Sequence, residues 1–398
     1  MRKDGLRVVA LLVIALFFAY RWLSLASWLH LGAMFLFAAL ALAGWLPKGR
    51  AGALIARRQT LAANVGISLI FLDIVFAQLE WREMLAALAH ANYWLLLPSF
   101  GLVVVATVLR TWRWQWLLRQ VGRVPFGPAF RAACVGIGAN MVLPARAGEF
   151  LRAYTLGRST GHSKTAVFAT LVVERILDGL TILLCLVGVV LLGVRGQEVR
   201  QIGLAGAAFY LLALGAMLLF YFRQAWFSRL VQRVLPARWS GPVLRLFVAF
   251  TEGLHILRDG RQLLVVALQS LLVWLVLAWS FYPVMLAFDF GAPVPLFAPF
   301  LLVPVVALGL TIPAAPGGVG ILQAAGVLAM QLSFKAAYGP QLPPGFAEQA
   351  AAFSLLMHLS QAVPEIALGA WAFLAEGLRW GQVEAATPGG PAESLEGA

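Results

Sequence analysis

The chain has 398 residues, of which 61% are hydrophobic and only 12% charged, and its mean hydropathy is +0.85. Soluble domains carry about 25% charged residues, so this composition excludes an ordinary water-soluble protein and predicts an all-α polytopic membrane protein. The net charge of +13 would suggest nucleic-acid binding in a soluble protein, but in a membrane protein it reflects cytoplasmic loops and anionic lipid, so no nucleic-acid partner is expected.

The chain begins with Met1-Arg2-Lys3 and an apolar run to Tyr20, a pattern shared by signal peptides and signal anchors. A signal peptide needs small residues at its cleavage site. Arg21 and Trp22 occupy that place, so the pattern favours a signal anchor. A second apolar run follows, and residues 1–50 are predicted to form a helical pair.

Eight apolar segments are long enough to cross the membrane. They are residues 6–24, 28–46, 61–79, 92–112, 166–193, 202–222, 262–287 and 349–375. Loops rich in arginine alternate with loops poor in charge, which predicts that both termini are cytoplasmic and that the protein lies in the cytoplasmic membrane. The basic segment 224–260 is predicted to lie on the cytoplasmic surface, and the polar tail 381–398 to be disordered.

Two further apolar stretches run into breaks rich in proline and glycine, within residues 127–157 and 295–334. The span count requires each stretch to enter and leave on one side, so both are predicted to be re-entrant hairpins that line a central site. Residues 143–148 (LPARAG) and 312–317 (IPAAPG) align without a gap. The alignment suggests an inverted repeat of the kind found in transporters, or a chance match among Pro, Ala and Gly.

The first hairpin carries charges that are costly at membrane depth, about 2.5–3.5 kcal/mol each on insertion scales. Asn140, Arg146, Glu149 and Arg152 lie within thirteen residues of each other and are candidates for substrate binding. Glu149 and Arg152 lie on one helical face and are expected to pair. The alternative is a plain cytoplasmic loop whose arginines obey the positive-inside rule.

A second charged group, Glu174, Arg175 and Asp178, interrupts the apolar stretch 166–192. Glu174 and Asp178 share a helical face, and Arg175 can neutralise one of them. Embedded carboxylates mark either a substrate path or an ion pair that holds a bundle together. Contact with a substrate and a structural lock with Arg146 or Arg152 both remain open.

The second hairpin and the last span contribute the remaining candidates for substrate binding. They are Pro316, Gly317, Gly318, His358, Gln361 and Glu365. The prolines and glycines must break the helix, and the three polar residues follow one face of the last span, where they are expected to contact this break. A single embedded histidine does not indicate a metal site, so neither a metal nor a cofactor is expected.

Residues 110–118 alternate Trp and Arg at the end of a span, which is typical of an anchor at the lipid headgroups. No hydrolase elbow, zinc-binding HExxH or Walker loop is found in the sequence. We therefore expect no catalytic activity.

Four motifs, at residues 110–114, 140–152, 174–178 and 313–318, together resemble the flippase-like family. This family comprises the transmembrane part of lysylphosphatidylglycerol synthases and its stand-alone relatives. The resemblance covers residues 60–375 and implies a flippase-like domain over 51–380. The synthases add a soluble aminoacyl-transferase domain, which is not expected here, so the resemblance does not imply lysyl transfer.

The resemblance implies movement of a lipid between leaflets, with a membrane phospholipid or a polyprenyl-linked lipid as partner and without an ATPase of its own. The alternative is a membrane enzyme or accessory in lipid or glycan modification, with Glu149, Glu174 or Asp178 as base. The third functional class is a non-catalytic membrane scaffold. We consider two protein partners: a second copy of the chain, or a lipid-modifying enzyme.

Overall fold

The computed structural model describes residues 3–25, 28–43, 50–77, 79–143, 147–191, 223–234, 260–312 and 315–379, and isolated positions at 201, 204, 208, 211, 212, 215, 236, 240, 241, 244 and 381. The regular structure in these residues is helical throughout, and they contain no strand. The predicted all-α class is therefore confirmed. The predicted tail 381–398 lies, apart from position 381, outside the described residues.

The first half of the chain forms α1 (Lys3–Leu25), α2 (Trp28–Ala43), α3 (Arg50–Phe76), α4 (Trp81–His90) and, after a short 3-10 turn at Tyr93–Leu95, α5 (Leu96–Leu118). Helices α1 and α2 pack on each other and on α3, with the ring of Phe18 stacked on that of Phe37. Asp73 of α3 accepts hydrogen bonds from Arg21 of α1, at 2.5 Å, and from His30 of α2, at 2.8 Å. These polar contacts join the N-terminal pair to α3.

The second half of the described chain continues with α6 (Phe126–Val142), α7 (Gly148–Thr160), α8 (Lys164–Leu191), α9 (Gln224–Val234), α10 (Gly260–Met285), α11 (Ala298–Gly309), α12 (Ile321–Tyr338) and α13 (Phe346–Ala375). A large apolar core joins α4, α10, α11, α12 and α13. A second core lies between α5, α6, α7 and α8. The charged residues of the sequence analysis lie beside this second core.

Among the described residues, four helical segments are long and apolar enough to cross a membrane: Tyr93–Leu118, Gly260–Met285, Pro316–Tyr338 and Phe346–Ala375. A fifth is present if Ala62–Phe76 and Trp81–His90, which meet at 90°, count as one bent span. The predicted eight spans are therefore confirmed only in part. Most of segment 202–222 lies outside the described residues. Helix α8 has 28 residues, but charged residues near its centre exclude it from these four apolar segments.

Each predicted hairpin contains two packed helices, and the residues between them lie partly outside the described residues, at 144–146 in the first hairpin and at 313–314 in the second. Helices α6 and α7 flank the first break, and α11 and α12 flank the second. In the first, the side-chain oxygen of Asn140 accepts a hydrogen bond from the N–H of Gly148 at 2.9 Å. A Cβ on Gly148 would overlap the carbonyl oxygen of Gly136, so glycine is required for the two arms to pack this closely.

Candidate functional site

The candidate site is a buried network of charges centred on Glu174 of α8, whose side chain is inaccessible to solvent. Arg152 of α7 donates to the two carboxylate oxygens from Nη1 and Nη2 of its guanidinium group, at 3.1 and 3.2 Å. The Nη2 of Arg175 lies 2.8 Å from Oε1, and the Nη2 of Arg113 lies 3.3 Å from the same oxygen. Three arginines from three helices thus surround one carboxylate.

One helical turn further along α8, Asp178 binds the same network from the other side. Its Oδ1 accepts hydrogen bonds from Nη1 of Arg113, at 2.5 Å, and from Nε1 of Trp274, at 3.0 Å. Its Oδ2 lies 3.3 Å from Arg175. Arg113 also donates to Ser270 at 3.0 Å. Because Ser270 and Trp274 belong to α10, the network connects α5, α7, α8 and α10.

The predicted anchor at the end of α5 is wrong for two of its residues. Arg113 and Trp114 are completely buried, whereas Trp112 is 44% exposed, as expected of an anchor. The centre of the Trp114 ring lies 3.8 Å from the guanidinium carbon of Arg152. The indole Nε1 of Trp114 donates a hydrogen bond to the hydroxyl of Thr170 at 2.9 Å. The missed signal is helical periodicity, since Arg110, Arg113 and Trp114 share one face of α5.

The expected pair between Glu149 and Arg152 does not form. Arg152 instead binds Glu174. This pair is the structural lock that the sequence analysis gave as one of two alternatives. Glu149 faces Arg175, with 3.8 Å between Oε1 and Nη1. The side chain of Arg175 is 40% exposed and that of Glu149 is 19% exposed. These two residues form the accessible end of an otherwise buried network.

Within the described residues, the network contains equal numbers of positive and negative groups. Three guanidinium groups, at Arg113, Arg152 and Arg175, meet three carboxylates, at Glu149, Glu174 and Asp178. Buried charges are tolerated when they are paired and hydrogen-bonded in this way. Arg146, a further predicted site residue, lies outside the described residues, and the network is neutral without it.

The break of the second hairpin meets the end of α6 beside α13. Gly317 has a φ of +69°. A Cβ added at Gly317 would lie 3.1 Å from the carbonyl oxygen of Met141 and 3.5 Å from Nε2 of His358. The amide nitrogen of Gln323 lies 3.0 Å from Nδ1 of His358, so the expected contact between His358 and the second hairpin is confirmed. Pro316 and the buried Gly318 form the 3-10 turn of this break.

The other two polar residues of α13 contact different helices. Gln361 donates to Ser280 of α10 at 3.3 Å, and Glu365 lies 3.9 Å from Arg110 of α5. Within the part of the chain that the structure describes, no three His, Cys, Asp or Glu side chains come together as a metal site would require. The arrangement instead combines a guanidinium and a carboxylate that a polar headgroup could reach.

Comparison with known proteins confirms the resemblance. The family model for the lysylphosphatidylglycerol synthase TM region matches residues 60–369. The chain is similar to "Glycosyltransferase AglD" of Haloferax volcanii, with 29% identity over an alignment of 321 positions that covers 73% of this chain and 50% of AglD. It is also similar to "UPF0104 membrane protein MJ1595" of Methanocaldococcus jannaschii, with 28% identity over 115 residues, 28% of this chain and 34% of that protein. The chain thus spans half or less of the length of these relatives.

Proposed function

We propose that this chain, which belongs to the lysylphosphatidylglycerol synthase transmembrane family, moves a lipid or a lipid-linked headgroup between the leaflets of the membrane. The observation that carries the proposal is the neutral network of six charges between packed helices, buried except at Arg175 and Glu149. A headgroup that crosses about 30 Å of hydrocarbon needs such a polar path. The break of the second hairpin, which meets the end of α6 beside α13, supplies further polar backbone.

The exposed end of the network defines the headgroup chemistry. A guanidinium binds phosphate oxygens through two hydrogen bonds, and Arg175 is the arginine of the network that is most exposed. Glu149 would face a positive group on the same ligand. Since the network is neutral, a purely anionic lipid would add an uncompensated charge, so we expect preference for a headgroup that carries both phosphate and amine.

The test is a leaflet-resolved transport assay in vesicles that contain the full chain and fluorescent phospholipids. Arg175→Ala should abolish transport, and Arg175→Lys should restore it only in part because lysine cannot bind phosphate in a bidentate manner. Arg229→Ala is the matched control, since this arginine is exposed on α9. Transport by Arg175→Ala at the control rate would refute the proposed role.

A second candidate function is modification of a lipid-linked glycan, which the similarity to the glycosyltransferase AglD favours. Glu149 would then be the base, because Glu174 and Asp178 are buried and each contacts at least two arginines. Mass spectrometry of a polyprenyl-linked sugar after incubation with the vesicles separates the two functions. An altered headgroup mass that depends on Glu149 supports modification, whereas an unaltered headgroup on the opposite leaflet supports transport.

The proposed orientation places both termini in the cytoplasm, with Arg229 inside and Asp289 outside. In intact cells, Asp289→Cys should react with an impermeant thiol reagent, and Arg229→Cys should react only after lysis. The reverse pattern would contradict the proposed orientation.

A further inference from the structure

A pocket of about 750 Å³ lies where α5 ends and the following turn begins. Its lining includes Trp112, Trp116, Arg119 and Arg123, and none of the residues of the buried charge network. Trp112, Gln115 and Trp116 at the end of α5 line this pocket, while Arg113 and Trp114 of the same helix are buried. The pocket is therefore distinct from the candidate transport site.

The wall of this pocket is fixed by the fold. Gln115 donates a hydrogen bond to the carbonyl oxygen of Val124 at 2.9 Å, which holds the turn against the helix. Gly122 has φ of +156°, and a Cβ there would overlap the His162 ring, which follows α7. The turn can pack against His162 because residue 122 is glycine.

The pocket is positively charged and partly aromatic. The guanidinium of Arg119 lies 3.5 Å from the centre of the Trp116 ring. Both Arg119 and Arg123 are exposed, and among the described residues no carboxylate pairs with either of them or lines the pocket. Two cations without an anionic partner, beside two indole rings, match an anionic ligand that also has an apolar part.

The position of the pocket narrows the ligand further. The segment Tyr93–Leu118 is long enough to cross the membrane, so its end lies at the level of the lipid phosphates. The volume is within the range of about 300–1,000 Å³ typical of small-molecule sites. We propose that this pocket binds the phosphate-bearing headgroup of an anionic membrane lipid, with Arg119 and Arg123 on the phosphate and Trp112 against the start of the acyl chains.

The test measures binding rather than transport, so it is independent of the proposed function. The full chain in neutral detergent is titrated with short-chain phosphatidylglycerol, short-chain phosphatidylcholine and sodium phosphate, and affinity is read from the shift in thermal unfolding. Loss of two charge-assisted hydrogen bonds should weaken phosphatidylglycerol binding by about tenfold or more in the Arg119→Gln, Arg123→Gln double variant. The matched control, with Arg229→Gln and Arg233→Gln on α9, should bind as the unaltered chain does.

The proposal is overturned if the double variant binds phosphatidylglycerol as the unaltered chain does, or if the α9 control loses as much affinity. It is also overturned if phosphatidylcholine binds as tightly as phosphatidylglycerol, because the pocket would then not recognise the negative charge of the lipid. Equal affinity for sodium phosphate would overturn it as well, because the pocket would then not recognise the lipid part of the ligand. Should the double variant fail to fold, Arg123→Gln alone serves as the test. It should weaken binding measurably, and an unchanged affinity would again refute the proposal.

Discussion

The contact between Arg152 and Glu174 offers a sharp test of the buried network. Arg152→Gln removes the bidentate partner at 3.1 and 3.2 Å and leaves the network with three carboxylates and two guanidinium groups. Removing one member of a buried ion pair costs about 3–5 kcal/mol of folding free energy. Because Arg113 and Arg175 still contact Glu174, we expect a loss near the lower end, about 3 kcal/mol.

The assay is unfolding of the purified protein in neutral detergent, by heat or by denaturant. Arg131→Gln is the control at a pair closer to solvent: Arg131 lies 2.6 Å from Glu376, and their side chains are 33% and 9% exposed. Exposed pairs contribute about 0–1 kcal/mol, and because Glu376 is mostly buried we expect a loss at the upper end of this range, about 1 kcal/mol. A double variant, with Arg152→Gln and Glu174→Gln, restores neutrality and should lose less stability than the two single changes added together.

Two results would refute the reasoning. If Arg152→Gln lowers stability no more than Arg131→Gln, the buried pair does not stabilise the fold. If the double variant loses the full sum of the single changes, Arg152 and Glu174 are not coupled, and the network does not act as a unit.

Two pairs of glycine substitutions test the helix packing by the same unfolding assay. Gly138→Ala should lower the free energy of unfolding by about 1–3 kcal/mol, because its Cβ would lie 2.7 Å from Cα of Gly369 on α13. The control is Gly101→Ala on α5, which has open space around it and should be neutral or stabilising. Gly320→Ala should destabilise more than Gly161→Ala: both residues have positive φ, but only at Gly320 would the Cβ also overlap the backbone of Ser68. Equal effects within either pair would show that these close approaches are not tight.

Several features of the protein follow from the sequence alone. The apolar composition requires a membrane-spanning helical protein, since only helices satisfy their own backbone hydrogen bonds within one segment in lipid. Proline and glycine determine where the hairpins break, because they remove backbone donors or permit positive φ. Charges inside apolar stretches are costly, so Glu174, Arg175 and Asp178 stand out as candidate site residues without any structure.

The partners of those charges were decided by the tertiary structure. Periodicity relates residues within one helix, and it led to an expected pair between Glu149 and Arg152. The pairs that form are instead between helices: Arg152 with Glu174 and Arg113 with Asp178 are 22 and 65 positions apart in sequence. An alternation of Trp and Arg is equally compatible with an interfacial anchor and with a helix face turned inward, and packing alone placed Arg113 and Trp114 inside.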